Sequence, residues 1–83
     1  MDTRIVLIGI IVTDREQTGE MNALLTEYQE YIIGRMGLPH HEHKGKEIAL
    51  ISIAMEAPGD VINALSGKIG MLPGISSKVI YAE

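Results

Sequence analysis

Two stretches of this chain, RIVLIGIIVT at residues 4–13 and EIALISIAME at residues 47–56, are apolar at nearly every position. Their content of Ile, Val and Leu is typical of β-strands, in which successive side chains point to opposite sides. A strand with one side in water would alternate apolar and polar residues. Both stretches are therefore predicted to be central strands that are covered on both sides.

The first helix is predicted to follow the first strand, with Thr13 or Asp14 as its N-cap. Its apolar stripe is Met21, Leu24, Leu25 and Tyr28, at the spacing of one helical face. Residues 31–38 then predict an edge strand that Pro39 ends. The polar tip HHEHKGK at residues 40–46 joins this strand to the second apolar strand as a hairpin.

A second helix is predicted from Asp60, as N-cap, to about Gly70, before a turn at Pro73 and Gly74. Its apolar stripe is Ile62, Leu65, Ile69 and Leu72. Residues 75–82 close the chain as another edge-like strand. The order β-α-β-β-α-β predicts a single α+β domain over residues 1–83, a ferredoxin-like sandwich with an antiparallel sheet of order 4-1-3-2. That order places the two apolar strands in the middle, as their composition requires.

Both helices of such a sandwich lie on one face of the sheet, so the apolar residues on the other face need a different cover. Apolar patches of several hundred Å² commonly mark interfaces. We therefore predict self-association, as a homodimer or homotetramer, through the face without helices. The alternative is that long surface side chains or a loop cover this face.

Composition excludes several classes of function. The 83 residues include no cysteine, which excludes disulfides, thiolate nucleophiles and thiolate-held metal clusters. The net charge is −4 without a basic run, so no nucleic-acid partner is expected. The longest apolar stretch is too short to span a bilayer, so no membrane association is expected. We expect a cytoplasmic protein.

Three segments together resemble a known family: IGIIVTDRE at residues 8–16, IIGRMGLP at residues 32–39 and ALSGKIGMLPGISSK at residues 64–78. The chain resembles the small family of candidate regulators associated with the iron-only hydrogenase system, over essentially its whole length. Members of that family are similar to ACT domains and to the ligand-binding domain of nickel-responsive repressors. The resemblance implies a ferredoxin-like dimer or tetramer with a regulatory role. We expect a non-enzymatic module that binds a small effector or a partner protein at a subunit interface.

A ligand site is predicted from Asp14, Arg15, Gly34, Arg35 and Gly37. The turn after the first strand lies where ACT-like domains commonly bind effectors, and a helix N-terminus there can receive a carboxylate or phosphate. Arg35 interrupts an apolar strand between two glycines and is suited to anchor an anion. The alternatives are ordinary capping by Asp14 and a structural ion pair of Arg35.

The hairpin tip contains three histidines within a span of four residues: His40, His41 and His43. Imidazole binds nickel or zinc, and strand alternation would place His41 and His43 on one side. A histidine-based metal sensor is therefore the alternative function, although it needs further ligands from Glu42 or a second subunit. The simpler interpretation is a solvated hairpin tip, and we expect no cofactor.

No enzyme is expected from this sequence. The serines lack a histidine–carboxylate arrangement, and no carboxylate pair lies in an apolar context. Arg35 and Asn63 are the only pair that could imitate a small ferredoxin-like hydrolase such as an acylphosphatase. Lys68 follows a glycine but lacks the spacing of a phosphate-binding loop.

Overall fold

The computed structural model describes residues 2–82, apart from the side chain of Pro39. The elements are β1 (Arg4–Val12), α1 (Thr18–Glu27), β2 (Ile32–His43), β3 (Lys46–Ala57), α2 (Gly59–Gly70) and β4 (Ile75–Tyr81). Short 3₁₀ turns at Arg15–Gln17 and Gln29–Tyr31 precede and follow α1. None of the helices in this part of the chain has the length and apolar content needed to cross a membrane.

The four strands form one antiparallel sheet of order β2-β3-β1-β4. Viewed from the other edge this is the predicted order 4-1-3-2, so the ferredoxin-like fold is confirmed. The central strands are β1 and β3, the two that are apolar on both sides.

The hydrophobic core fills the space between one side of the sheet and the two helices. Alternate residues of β1 supply four core side chains, and Ile53, Met55 and Ala57 of β3 supply three more; the four from β1 are Val6, Ile8, Ile10 and Val12. The helices contribute Met21, Leu25, Ile62, Leu65 and Ile69. All twelve are at most 2% exposed. The apolar stripes of both helices therefore face the sheet as predicted, with Leu24, Tyr28 and Leu72 partly buried at the margin.

The prediction that Pro39 ends the second strand is wrong. β2 continues through Pro39 to His43, and a tight turn at Lys44 and Gly45, with φ angles of 52° and 79°, leads into β3. An edge strand tolerates proline because one of its sides needs no ladder hydrogen bonds. A register shift between Leu38 and His41 absorbs the irregularity. The three pairs from His41–Ile48 to His43–Lys46 form an arm beyond the end of β1, which pairs with β3 only as far as Ala49.

The helix starts also differ from expectation. Asp14 does cap a turn, since its Oδ1 accepts the Glu16 amide at 3.0 Å, but the turn is 3₁₀ and α1 starts only at Thr18. Asp60 is not the N-cap of α2; Pro58 is, and its carbonyl accepts the amides of Val61 and Ile62. A proline before the first turn has the extended backbone that a cap requires.

Candidate functional site

Two surfaces stand out, and the first is the sheet side that carries no helix, here called the open face. Its large apolar side chains are 43 to 76% exposed: Ile5, Leu7, Ile11, Met36, Leu38 and Ile80. The register places them on one side, because Leu7 is paired with Ile80, Ile11 with Leu50, and Leu50 with Leu38. The predicted bare apolar face is therefore present in the single chain.

A groove crosses the middle of the open face. Gly9, Ser52 and Lys78 lie side by side on its floor, and Met36, Leu38 and Leu50 are among the apolar residues along it. The volume of this groove is about 590 Å³. A Cβ added at Gly9 would meet no described atom of the chain within 4 Å, so the floor of the groove is open at this position.

The second surface is a cleft on the helix side of the sheet, between α1 and the base of the β2–β3 hairpin; we call it the α1–hairpin cleft. It has a volume of about 440 Å³. Its lining consists of Arg15, Thr18, Met21, Asn22, Arg35, Gly37, His40, Ala49 and Ile51. The partly buried side chains of Ala49 and Ile51 provide apolar surface, while the arginines, the histidine and the amide supply hydrogen-bond donors.

Polar contacts join the two sides of this cleft. Arg15 Nη1 donates to Glu47 Oε1 at 2.8 Å, and His40 Nδ1 lies 2.6 Å from the same oxygen. On the opposite side, Arg35 Nη2 donates to Asn22 Oδ1 at 2.7 Å. Glu47 therefore holds two of the cleft's cationic or ionisable groups, and Asn22 orients the third.

The positively charged and ionisable groups of the cleft differ in their ion pairing. Within residues 2–82, Arg15 and His40 share the carboxylate of Glu47, whereas Arg35 takes part in no ion pair. The hydrogen bond from His40, followed by the nearby Arg15 charge, lowers the pKa of Glu47 below its ordinary value of 4.5. Among the described residues, the lining of the cleft thus includes two arginines and no carboxylate, and Glu47 pairs with only one of these arginines.

Three of the five predicted ligand residues, Arg15, Arg35 and Gly37, line this cleft. Asp14 instead caps the 3₁₀ turn and packs against Gly74, where an added Cβ would lie 2.5 Å from the Asp14 Cβ. Gly34 pairs with Ala54 in line with the residues of the open face.

Sequence reasoning missed Asn22 and Glu47, and it assigned His40 only to a metal. The sequence contains the alternation that places Glu47 on the helix side with Ala49 and Ile51. It contains no signal that α1 and the hairpin base meet there. Asn63 does not line the cleft, and the amide partner of Arg35 is Asn22, so the imagined hydrolase pair is not formed.

The three histidines lie on two sides of the arm. His40 faces Glu47 on the helix side. The register pairs His41 with Ile48 and His43 with Lys46, which places both histidines on the same side of the sheet as the open face. No group of three or more metal-binding side chains forms among the described residues. A nickel or zinc site at His41 and His43 would therefore need ligands from a second copy.

Comparison with known proteins identifies a family over most of the chain. Residues 4–79 match the TM1266-like family, which is described as a candidate iron-only hydrogenase system regulator. The structure of uncharacterized protein TM1266 from Thermotoga maritima is similar, with a TM-score of 0.85 and 30% identity over 99% of this chain and 100% of that one. No curated protein sequence matches this chain.

More distant structures share the fold alone. A nitrogen regulatory PII-like protein, CPII from Thiomonas intermedia K12, bound to ADP, AMP and bicarbonate, has a TM-score of 0.53 and 14% identity over all of both chains. LarC2, the C-terminal domain of a cyclometallase involved in the synthesis of the NPN cofactor of lactate racemase, has a TM-score of 0.55 and 17% identity in its apo form. That match covers 99% of this chain and 57% of that one.

Proposed function

Because the chain belongs to the TM1266-like family of candidate iron-only hydrogenase system regulators, we propose that it is a non-enzymatic regulatory module. In this proposal it works as a homo-oligomer and binds a small effector. The observation that carries the proposal is the apolar open face, which a second copy would cover.

The area of the open face suits a dimer interface. Protein–protein interfaces of standard size bury about 800 Å² on each partner. Four strands of 7 to 12 residues, spaced about 4.8 Å apart with about 3.3 Å per residue, provide a face of this order. Covering six large apolar side chains on each copy would supply much of the free energy that association requires.

The shape of the open face favours a second copy over another partner. Its apolar ridges lie beside a groove that has Gly9, Ser52 and Lys78 on its floor. A twofold axis near Gly9 would set the ridges of one copy into the groove of the other, as in packed β-sheets. Such packing would also supply the neighbour that Gly9 lacks within its own chain.

The effector would bind in the α1–hairpin cleft, on the other side of the sheet from the proposed interface, and not at a subunit interface as the sequence led us to expect. The cleft combines apolar surface with a few polar groups, the usual composition of small-molecule sites. CPII shows that a protein of this fold can bind small anions, since its structure contains ADP, AMP and bicarbonate. A protein partner docking over the same cleft is the alternative.

Light scattering of two matched variants tests the oligomer. Leu7→Asp places a charge on the open face, whereas Met71→Asp places one at the end of α2, where Met71 is 83% exposed. We expect Leu7→Asp to reduce the particle to a folded monomer and Met71→Asp to retain the wild-type mass. Equal masses for all three proteins, with the wild type monomeric, would contradict the proposal.

A further inference from the structure

We propose that the α1–hairpin cleft binds a small organic anion, a carboxylate or phosphate joined to an apolar group, and that Glu47 competes with this anion for Arg15 and His40. The inference rests on the proposed effector role and specifies its chemistry. Three observations carry it: the unbalanced charge of Arg35, the position of Glu47 and the apolar surface beside them.

Arg35 is the primary anchor. Its partner is the neutral Asn22 amide oxygen, and among residues 2–82 it takes part in no ion pair. The contact with Asn22 uses one Nη2 donor and holds the guanidinium at the cleft, where its other donors can meet an anion. Guanidinium binds carboxylate and phosphate through two parallel hydrogen bonds, which are stronger than neutral ones.

Glu47 occupies the remaining donors with a single oxygen. Its Oε1 receives both Arg15 and His40, so it sits where an anion on these two groups would sit. All three side chains are about half exposed, at 51% for Arg15, 60% for His40 and 48% for Glu47. Solvent-exposed ion pairs contribute little to stability, so an incoming anion can replace Glu47 at small cost.

The negative charge of Glu42 favours the replacement of Glu47 by an incoming anion. Glu42 is paired directly with Glu47 across the hairpin, and opposed like charges on neighbouring strands are destabilising. Swinging the Glu47 side chain away from its β3 position would need no change of the backbone. The hairpin base could then respond to the ligand through this one side chain.

The apolar part of the cleft defines the rest of the ligand. The partly buried side chains of Ala49 and Ile51 lie beside the donors, and Gly37 lines the cleft from β2. Inorganic phosphate would contact the donors but leave this surface uncovered. A short hydrocarbon chain attached to the anion fits the 440 Å³ volume and buries the apolar surface.

Calorimetric titration at low ionic strength tests the proposal with four probes: 4-methylpentanoate, 3-methylbutyl phosphate, inorganic phosphate and the neutral 4-methylpentanamide. We expect at least one of the two organic anions to bind with a Kd below about 1 mM. The same anion should bind at least tenfold more tightly than inorganic phosphate and than the amide. The preferred organic anion then tells whether the site takes a carboxylate or a phosphate.

Three variants test the roles that we propose for Arg35 and Glu47 in anion binding. Arg35→Gln should weaken binding of the preferred anion at least about tenfold, because a charge-assisted hydrogen-bond pair is lost. Lys46→Gln removes the same charge from the arm, on the opposite side from the cleft, and should change the affinity less than twofold. Glu47→Gln should tighten binding several-fold, because the competing carboxylate is gone while the side-chain volume is kept.

Absence of binding by both organic anions at 10 mM, or equal binding of the amide, would overturn the proposed site. Equal effects of Arg35→Gln and Lys46→Gln would also overturn it, and unchanged or weaker binding by Glu47→Gln would refute the competition. Light scattering on the same samples separates this inference from the oligomer. A dimer without anion binding would refute only the site, whereas a monomer that binds the anion would refute only self-association.

Discussion

The two sides of β1 have nearly the same composition but opposite surroundings. Val6, Ile8, Ile10 and Val12 face the helices and are at most 1% exposed. On the other side, Ile5, Leu7 and Ile11 are 43 to 51% exposed. Isolated exposed apolar residues are common on proteins, but six large ones on one face of a sheet are not.

This difference separates what the single chain provides from what it needs. The helices α1 and α2 complete one hydrophobic core, and no described element covers the other face. A chain of this size buries only about 60 to 65% of its unfolded surface, so its own core is thin. Self-association would add a second core at the open face without lengthening the chain.

The largest predicted effect is the difference in stability between alanine substitutions on the two sides of β1. Ile8→Ala should lower the free energy of unfolding by about 2–5 kcal/mol, because it leaves a cavity in the core. Leu7→Ala should cost less, but its cost should depend on protein concentration, since Leu7 would be buried only in the oligomer. Urea unfolding at two protein concentrations measures both. A concentration-independent loss below about 0.5 kcal/mol for Leu7→Ala would show that the open face stays in water.

A substitution that fills the groove gives a second test of whether the open face is covered. In an isolated chain Gly9→Val should add stability, by about 0.5–1 kcal/mol, because the space is free and valine favours strands. In an oligomer packed through the groove, the same change should weaken association at least about tenfold. Sedimentation measures the association.

The control for the groove is Gly19→Ala on the exposed side of α1, which should stabilise the chain by about 1 kcal/mol and leave association unchanged. Tighter association by Gly9→Val would exclude the groove from the interface.

The smallest predicted effect on stability is at Glu47, on the helix side of the sheet. Its pKa is lowered in the folded chain by His40 and Arg15, so its contacts stabilise the fold above pH 4.5. That contribution is lost as the pH falls through the lowered folded-state pKa. As the pH falls below 4.5, wild type should therefore lose slightly more stability than Glu47→Gln. Thermal unfolding measures this, with Glu20→Gln on α1 as control; identical acid profiles for wild type and Glu47→Gln would contradict it.

The fold could be predicted from the sequence because its strongest signals are local. Continuous apolar strands identified β1 and β3, and the helical stripes at Met21 and Leu65 identified the covered side. The passage of β2 through Pro39 could not be predicted in this way, because it depends on β2 being an edge strand with a register shift. The N-cap of α2, which is Pro58 rather than Asp60, likewise depends on which carbonyl accepts the first amides.

The candidate site was predictable only in part. Arg15 and Arg35 were recognisable, since each stands out as a charge near apolar or glycine residues. Their neighbours Asn22, His40 and Glu47 are ordinary polar residues that the topology brings together from α1 and the two hairpin strands. The bulge after Leu38 decides that His40 faces Glu47 while His41 and His43 face the other way, and a residue pattern does not encode that choice.

The central claim is that a second copy of this chain covers the open face. Native mass spectrometry of the purified protein at micromolar concentration tests it most directly. The account predicts a mass twice or four times the 9.1 kDa of one chain. A folded species of 9.1 kDa alone, unchanged as the concentration rises, would contradict it.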